Sequence, residues 1–156
     1  MRSYLNELNE TPYKWIPETQ PMLDAENEVI QRIKQNAGFN HDYVKLPIAY
    51  KLDFAIVSDG EVKGFCEIKR RTHQRNKYPS LILSALKYRE LLDWELNFKP
   101  ACLIVAWNDQ LGIHKPSEYH GNQYKIEIGG RKDRNRNGDL EPIVHIPIDH
   151  FQRIDQ

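Results

Sequence analysis

Two short apolar runs, Leu52 to Val57 and Val62 to Lys69, flank Ser58-Asp59-Gly60 and constrain the fold more than any other feature of the chain. Runs of this kind joined by an Asp-Gly turn predict a β-hairpin, because the turn needs left-handed backbone that Asp and Gly tolerate. Strand side chains alternate between faces. Phe65, Glu67, Lys69 and Arg71 therefore share one side, while Gly64, Cys66 and Ile68 point the other way, toward a core. Asp53 opens the earlier run, and a chain folded at Asp59-Gly60 places it roughly opposite Glu67. Two adjacent carboxylates repel unless a cation lies between them. Hard oxygen donors of this type suit Mg²⁺ or Mn²⁺.

The remaining pattern surrounds this hairpin with alternating elements. Pro21 to Ala37 predicts a helix, with acids in its first turns and Gly38 as its stop. Tyr43 to Leu46 predicts a strand. Pro79 to Phe98 predicts a strongly apolar helix that Pro100 ends, and Ala101 to Trp107 a buried strand. Tyr124 to Ile128 and Ile143 to Ile148 predict a final hairpin, whose tip holds Gly129-Gly130 and a basic, Asn-rich stretch ending at Gly138-Asp139. The order predicts an α/β fold with a mixed central sheet flanked by helices and a C-terminal β-hairpin. Residues 1–20 show little periodicity and predict an N-terminal arm, leaving 21–156 as one domain.

Composition narrows the class of function. The 156 residues carry 22 basic and 22 acidic side chains, which argues against a protein that coats DNA through uniform positive charge. The charge is nonetheless uneven. Residues 69–77 hold five bases (Lys69, Arg70, Arg71, Arg75 and Lys77) and no acid, and residues 131–136 hold Arg131, Lys132, Arg134 and Arg136 against one acid. Both segments are candidates for holding a phosphate backbone; solvated loops are the plain alternative. The two cysteines, Cys66 and Cys102, sit in apolar runs and are read as core residues. They provide no disulfide framework and no zinc cage. No stretch approaches 18 apolar residues, so no membrane partner is expected. Residues 1–10 lack the apolar core of a signal peptide, and a cytoplasmic location is expected.

Glu26 supplies a third carboxylate. Met22, Val29, Ile33 and Ala37 define the apolar stripe of the first helix, and Glu26 falls inside it while Glu28 falls outside. An acid turned toward a core needs a partner. That partner is either a metal site or Lys69; an edge position paired with a surface Arg is the alternative.

Glu26 on a helix, Asp53 at the head of a strand and Glu67-Ile68-Lys69 on the next strand resemble the PD-(D/E)XK nuclease superfamily. The superfamily includes restriction endonucleases, junction resolvases and phage exonucleases. The resemblance covers about Pro21 to Trp107 and implies a restriction endonuclease-like core. It implies Asp53 and Glu67 as metal ligands through their carboxylates, with the carbonyl of Ile68 as a further ligand. Lys69 would orient the attacking water and offset developing charge, and Glu26 would take the accessory helix position. Leu52 stands where the motif's name has Pro. Ser84 stands four residues before Tyr88 where many members have Gln. The implied activity is hydrolysis of DNA phosphodiester bonds with Mg²⁺ or Mn²⁺, as an endonuclease, in host cytoplasm if phage-encoded. DNA is the implied partner, and a homodimer is compatible with the resemblance. The alternative is a nuclease-fold module that no longer cuts and serves in DNA binding or inhibition. His73 is left without a role. Lys87 lies off the apolar face of the second helix, exposed or able to reach phosphate, and Tyr88, Trp15, Trp94 and Trp107 are read as core or near-core side chains.

Overall fold

A computed structural model describes residues 19–36, 41–119, 121, 123–130 and 140–155. Helix α1 (Gln20–Asn36) leads into β1 (Asp42–Lys45), then β2 (Phe54–Ser58) and β3 (Glu61–Arg70). Strand β4 (Ser80–Ser84) runs directly into helix α2 (Ala85–Asn97), followed by β5 (Ala101–Ala106) and β6 (Leu111–His114). The C-terminal part holds β7 (Ile126–Gly130), β8 (Leu140–Pro147) and β9 (Gln152–Arg153). A six-stranded sheet has the order β1-β2-β3-β5-β6-β9, and a second sheet the order β4-β8-β7. The β3–β5 pair is parallel and every other pair antiparallel, so the large sheet is mixed.

The hairpin at the centre follows from its turn. Asp59 and Gly60 take φ of 53° and 76°, the left-handed pair that a two-residue turn with the natural strand twist requires. Phe54 faces Cys66 and Ala55 faces Phe65, with a bulge between Ile56 and Val57. Both faces of the large sheet are covered. Val29, Ile30 and Ile33 of α1 pack on Phe54, Cys66, Ile68, Cys102 and Ile104. The other face carries Phe65, Leu103, Val105 and Trp107 and meets Leu91 of α2 together with Leu81, Leu83, Val144 and Ile146 of the small sheet.

Several expectations need correction. Residues 80–84 form a strand rather than the start of a helix. Leu81 and Leu83 are buried while Ile82 between them is 46% exposed, an alternation that fits a strand once β8 provides the ladder. A short apolar run does not distinguish the two by pattern alone. Strands β6 and β9 have no counterpart in the sequence reading; both are short, and their pairing depends on tertiary neighbours. The C-terminal hairpin is present as β7 and β8, but it pairs with β4 in a sheet of its own. Met22 is 47% exposed, and Ile30 takes its place in the buried stripe of α1. The face of Phe65 and Glu67, taken as the side away from the core, is a core face as well. Residues 1–18, most of the expected arm with Trp15, and the tip at 131–139 with Arg131, Lys132, Arg134 and Arg136 lie outside the described residues.

Both cysteines are free and buried, and burial pushes the Cys102 thiol up to about 12, so they behave as core side chains. Gly112 on β6 lets the Trp107 ring pack close: a Cβ there would lie 2.6 Å from the ring. Gly112→Ala should therefore destabilise the protein by about 1–3 kcal/mol in urea unfolding, the range for an overpacked core. An unchanged midpoint would show that the Trp107 ring is free to move.

Candidate active site

The chain does not run straight into β2. A short 3-10 turn over Ile48–Tyr50 ends at Lys51, whose φ of 60° bends the backbone. Asp53 follows the bend and precedes the first paired residue of β2. The ladder to β3 thus stops at the Phe54–Cys66 pair, and the next N–H on that edge of β3, that of Ile68, would be left without an acceptor. The Asp53 side chain supplies it: Ile68 N–H donates to Asp53 Oδ2 at 2.8 Å. Extending the register sets Asp53 beside Glu67 on one face.

Glu67 is 2% exposed, one of two buried polar or charged residues among those described. Its Oε1 lies 3.4 Å from Lys69 Nζ and 3.5 Å from Lys87 Nζ. Its Oε2 is buried and accepts no hydrogen bond. Burial raises the Glu67 pKa to about 6; Lys69 opposes the rise, Asp53 adds to it by repulsion, and Lys87 opposes it. Lys87 also donates to the carbonyl of Lys51 at 2.6 Å, tying α2 to the bend that carries Asp53.

Glu26 belongs to the opposite layer. It sits on α1, and Lys45 at the end of β1 links it to the site: Lys45 Nζ is 3.0 Å from Glu26 and 3.5 Å from Asp53. Asp53, Glu67 and Lys69 therefore come together on one face, and Glu26 reaches them through a lysine. Among the described residues no three His, Cys, Asp or Glu side chains gather as a metal cage. The donor set available to a metal is the carboxylate pair Asp53 and Glu67. An enclosed oxygen without a hydrogen-bond partner beside a second carboxylate fits a hard divalent cation such as Mg²⁺ or Mn²⁺.

The basic segment divides between the faces. Arg70 turns toward α1 and pairs with Glu28 at 3.4 Å. Arg71 stays on the face of Glu67, partly buried, and burial lowers its pKa. Arg75 donates to the carbonyl of Ile148 at 3.0 Å, and Lys77 lies over the Tyr78 ring. His73 touches the edge of Tyr78 and sits outside the carboxylate cluster. Lys45 was missed from sequence, and Lys87 was only half seen. Neither leaves a local signal: the place of Lys45 depends on the β1–β2 register, and that of Lys87 on α2 beginning at Ala85. Tyr88 packs at the core and hydrogen-bonds the buried His114 at 3.1 Å, Trp107 is buried, and Trp94 packs at the core's edge.

Over residues 13–154 the sequence matches the model of a family described as "Phage putative PDDEXK endonuclease". No curated protein sequence matches it. Among solved structures, the chain resembles Hjc, a Holliday junction resolvase from the archaeal hyperthermophile Archaeoglobus fulgidus. The TM-score is 0.52 and the identity 13%, over 85% of this chain and 90% of that one. At that identity the likeness concerns the fold, which is restriction endonuclease-like. Among the described residues no helix is long and apolar enough to cross a membrane.

A buried carboxylate with a raised pKa opposes folding when ionised. The folded state holds the Glu67 proton more tightly than the unfolded chain does, so stability falls as pH rises from 4.5 to about 6 and stays lower above that. The loss is about 2 kcal/mol. Glu67→Gln should therefore unfold at higher urea than the parent at pH 7.5 in EDTA, and the difference should shrink by pH 4.5. A variant less stable than the parent at pH 7.5 would mean that the two lysine contacts outweigh the burial.

Proposed function

Given that the chain belongs to this phage PD-(D/E)XK endonuclease family, we propose that it is a divalent-metal-dependent DNA endonuclease whose active site is built on Asp53, Glu67 and Lys69. The observation that carries the proposal is the buried Glu67 carboxylate, with one oxygen unpaired, set beside Asp53 and under two lysines. Nothing in the packing of the core calls for a charge there. The desolvation cost is rational if the carboxylate serves a cation.

Asp53 and Glu67 would hold Mg²⁺ or Mn²⁺ through carboxylate oxygens, with the Ile68 carbonyl as a third oxygen. A strand residue's N–H and C=O face the same neighbour, so the Ile68 carbonyl is directed to the side where its N–H meets Asp53. A divalent ion bound there supplies Lewis acidity toward the phosphoryl group and toward water. The reaction is hydrolysis of one P–O ester bond, giving a phosphomonoester end, a hydroxyl end and a proton.

The protein's own side chains divide the remaining work. Lys69, at the open end of β3 and 30% exposed at its side chain, orients the attacking water and offsets the negative charge that grows on the phosphoryl oxygens. Lys87 holds the Glu67 carboxylate from the α2 side and fixes the bend at Lys51. Lys45 anchors Asp53 through an ion pair, and Glu26 fixes Lys45 in turn. This is an indirect accessory role for Glu26. Arg71 and Arg75 extend positive charge from the site along a bound strand. The complete set of Asp53, Glu67 and Lys69 favours a cutting enzyme over a silent binding module.

Supercoiled DNA incubated with the protein should be nicked with Mn²⁺ and left intact with EDTA. Lys69→Ala should cut at least about 100-fold more slowly, the scale for removing a group that stabilises the transition state, while keeping its melting temperature. Asp53→Ala should lose the Mn²⁺ binding that calorimetry detects in the parent. Cutting by Lys69→Ala at the parent rate would remove Lys69 from the mechanism, and DNA binding with no cutting in any metal would favour the silent module.

A further inference from the structure

The site-bearing face of β3 continues past Lys69. Arg71, just beyond the strand, still donates its backbone N–H to Ala106 at 2.9 Å. Its side chain therefore shares the face of Glu67 and Lys69, about 7 Å further along. There it enters the wall of a cavity of about 390 Å³ between this strand end and the small sheet, a volume in the range that accepts a small ligand. One part of the wall holds the cations Arg71 and Arg75 with His73 and His145, the last paired with Glu127 at 2.6 Å, and among the described residues no Asp or Glu lines the cavity itself. The other part is apolar and includes Tyr78, Pro79 and Ile82.

The two arginines have only neutral partners for their guanidinium groups. Arg71 donates to the carbonyls of Arg70 and Ile82, both at 3.1 Å, and Arg75 to the carbonyl of Ile148 and the side-chain oxygen of Asn76. Among the described residues neither guanidinium has a carboxylate partner. A partly buried guanidinium without counter-charge favours an incoming anion, and its fork geometry suits phosphate. Trp107 lines the same cavity, and its buried indole N–H lacks an acceptor.

We propose that this cavity receives one unstacked nucleotide of the DNA strand, with its phosphate against Arg71 and Arg75 and its base against Tyr78 and Ile82. The proposal rests on the nuclease reading above and adds a substrate class to it. Contacts to the backbone of a regular duplex need cations but no concave apolar wall. A base inside a duplex has both faces stacked and its edge paired, so only a displaced nucleotide brings phosphate and an apolar face together into a hollow of this size. The preferred DNA then carries an unpaired nucleotide next to the bond to be cut, as in a bulge or gap.

The test compares affinities by fluorescence anisotropy in EDTA. The full chain is titrated into a labelled duplex with one extrahelical adenine and into the fully paired duplex of the same length. The bulged duplex should bind about ten-fold more tightly, the scale of one base–aromatic contact. Tyr78 and Ile82 are 50% and 46% exposed, so Tyr78→Ala, which removes part of the wall, and Ile82→Trp, which fills the hollow, are compatible with the fold. In both variants the ratio of the two affinities should fall toward one, with melting temperatures recording that the proteins are folded. Equal binding of the two duplexes by the parent, or a preference that survives both variants, overturns the proposal. Cutting is measured separately with Mn²⁺. A preference for the bulge without cutting would sink the nuclease reading and leave the cavity's role standing.

Discussion

A single hydrogen bond organises the site: the backbone N–H of Ile68 donating to the Asp53 carboxylate. It closes the β2–β3 ladder where the backbone of β2 has already turned away, and it engages one carboxylate oxygen while the other faces the Lys45 ammonium at 3.5 Å. The bend at Lys51 makes this geometry possible, because a straight strand would bring a backbone carbonyl to Ile68 and turn Asp53 into an ordinary ladder residue. With the bend, an acidic side chain takes the place of the strand at the open end of the sheet. Its position is then as fixed as the backbone it replaces, which suits the proposed role of holding an ion at a defined distance from a reacting phosphate.

Glu67 illustrates the opposite compromise. The parallel β3–β5 pair lies at the centre of the large sheet, so a side chain on its covered face is removed from water. Lys69 and Lys87 reach the same oxygen from two elements, yet burial outweighs them and the pKa remains raised. The lysines thus offset the charge only in part and leave the second oxygen bare. Full neutralisation by a close, bidentate partner would stabilise the fold but would compete with any cation. Partial compensation keeps the carboxylate at once tolerable to the fold and receptive to an ion.

The sequence was most readable where local chemistry and tertiary structure agreed. The Asp59-Gly60 turn paired Ser58 with Glu61, and the bulge between Ile56 and Val57, which the sequence did not reveal, moved the register by one residue so that Asp53 falls beside Glu67. The same logic failed at residues 80–84, where the apolar run is too short for its period to tell a strand from a helix and the deciding partner, β8, lies some sixty residues away. That error displaced the start of α2, and with it the place of Lys87. Lys45 was invisible for a related reason: nothing near it in sequence indicates that its ammonium lies between Glu26 and Asp53. The basic run at 69–77 was recognised as a unit, but strand alternation splits it. Arg70 goes to the α1 side with Glu28 and Arg71 to the side of Glu67. The resemblance was seen only as far as Trp107, whereas the family match runs over residues 13–154.

That small sheet also explains how one strand can serve two tasks. Residues at alternate positions of β3 descend from an apolar contact at Phe65, through the carboxylate at Glu67 and the ammonium at Lys69, to the guanidinium at Arg71. Burial is deepest at Glu67 and is relieved toward the end of this row, where the β4–β8 layer leaves a hollow lined by Tyr78 and Ile82. Polarity therefore rises along the strand in the direction in which cover is lost, as desolvation costs require. The carboxylate sits at the last position where cover is complete, and the ammonium and the guanidinium follow where it is partial. A gradient of this kind makes the proposed metal-binding and strand-holding functions separable: Tyr78 and Ile82 line the hollow and Asp53 and Glu67 do not, while both functions would share a backbone that holds their spacing constant.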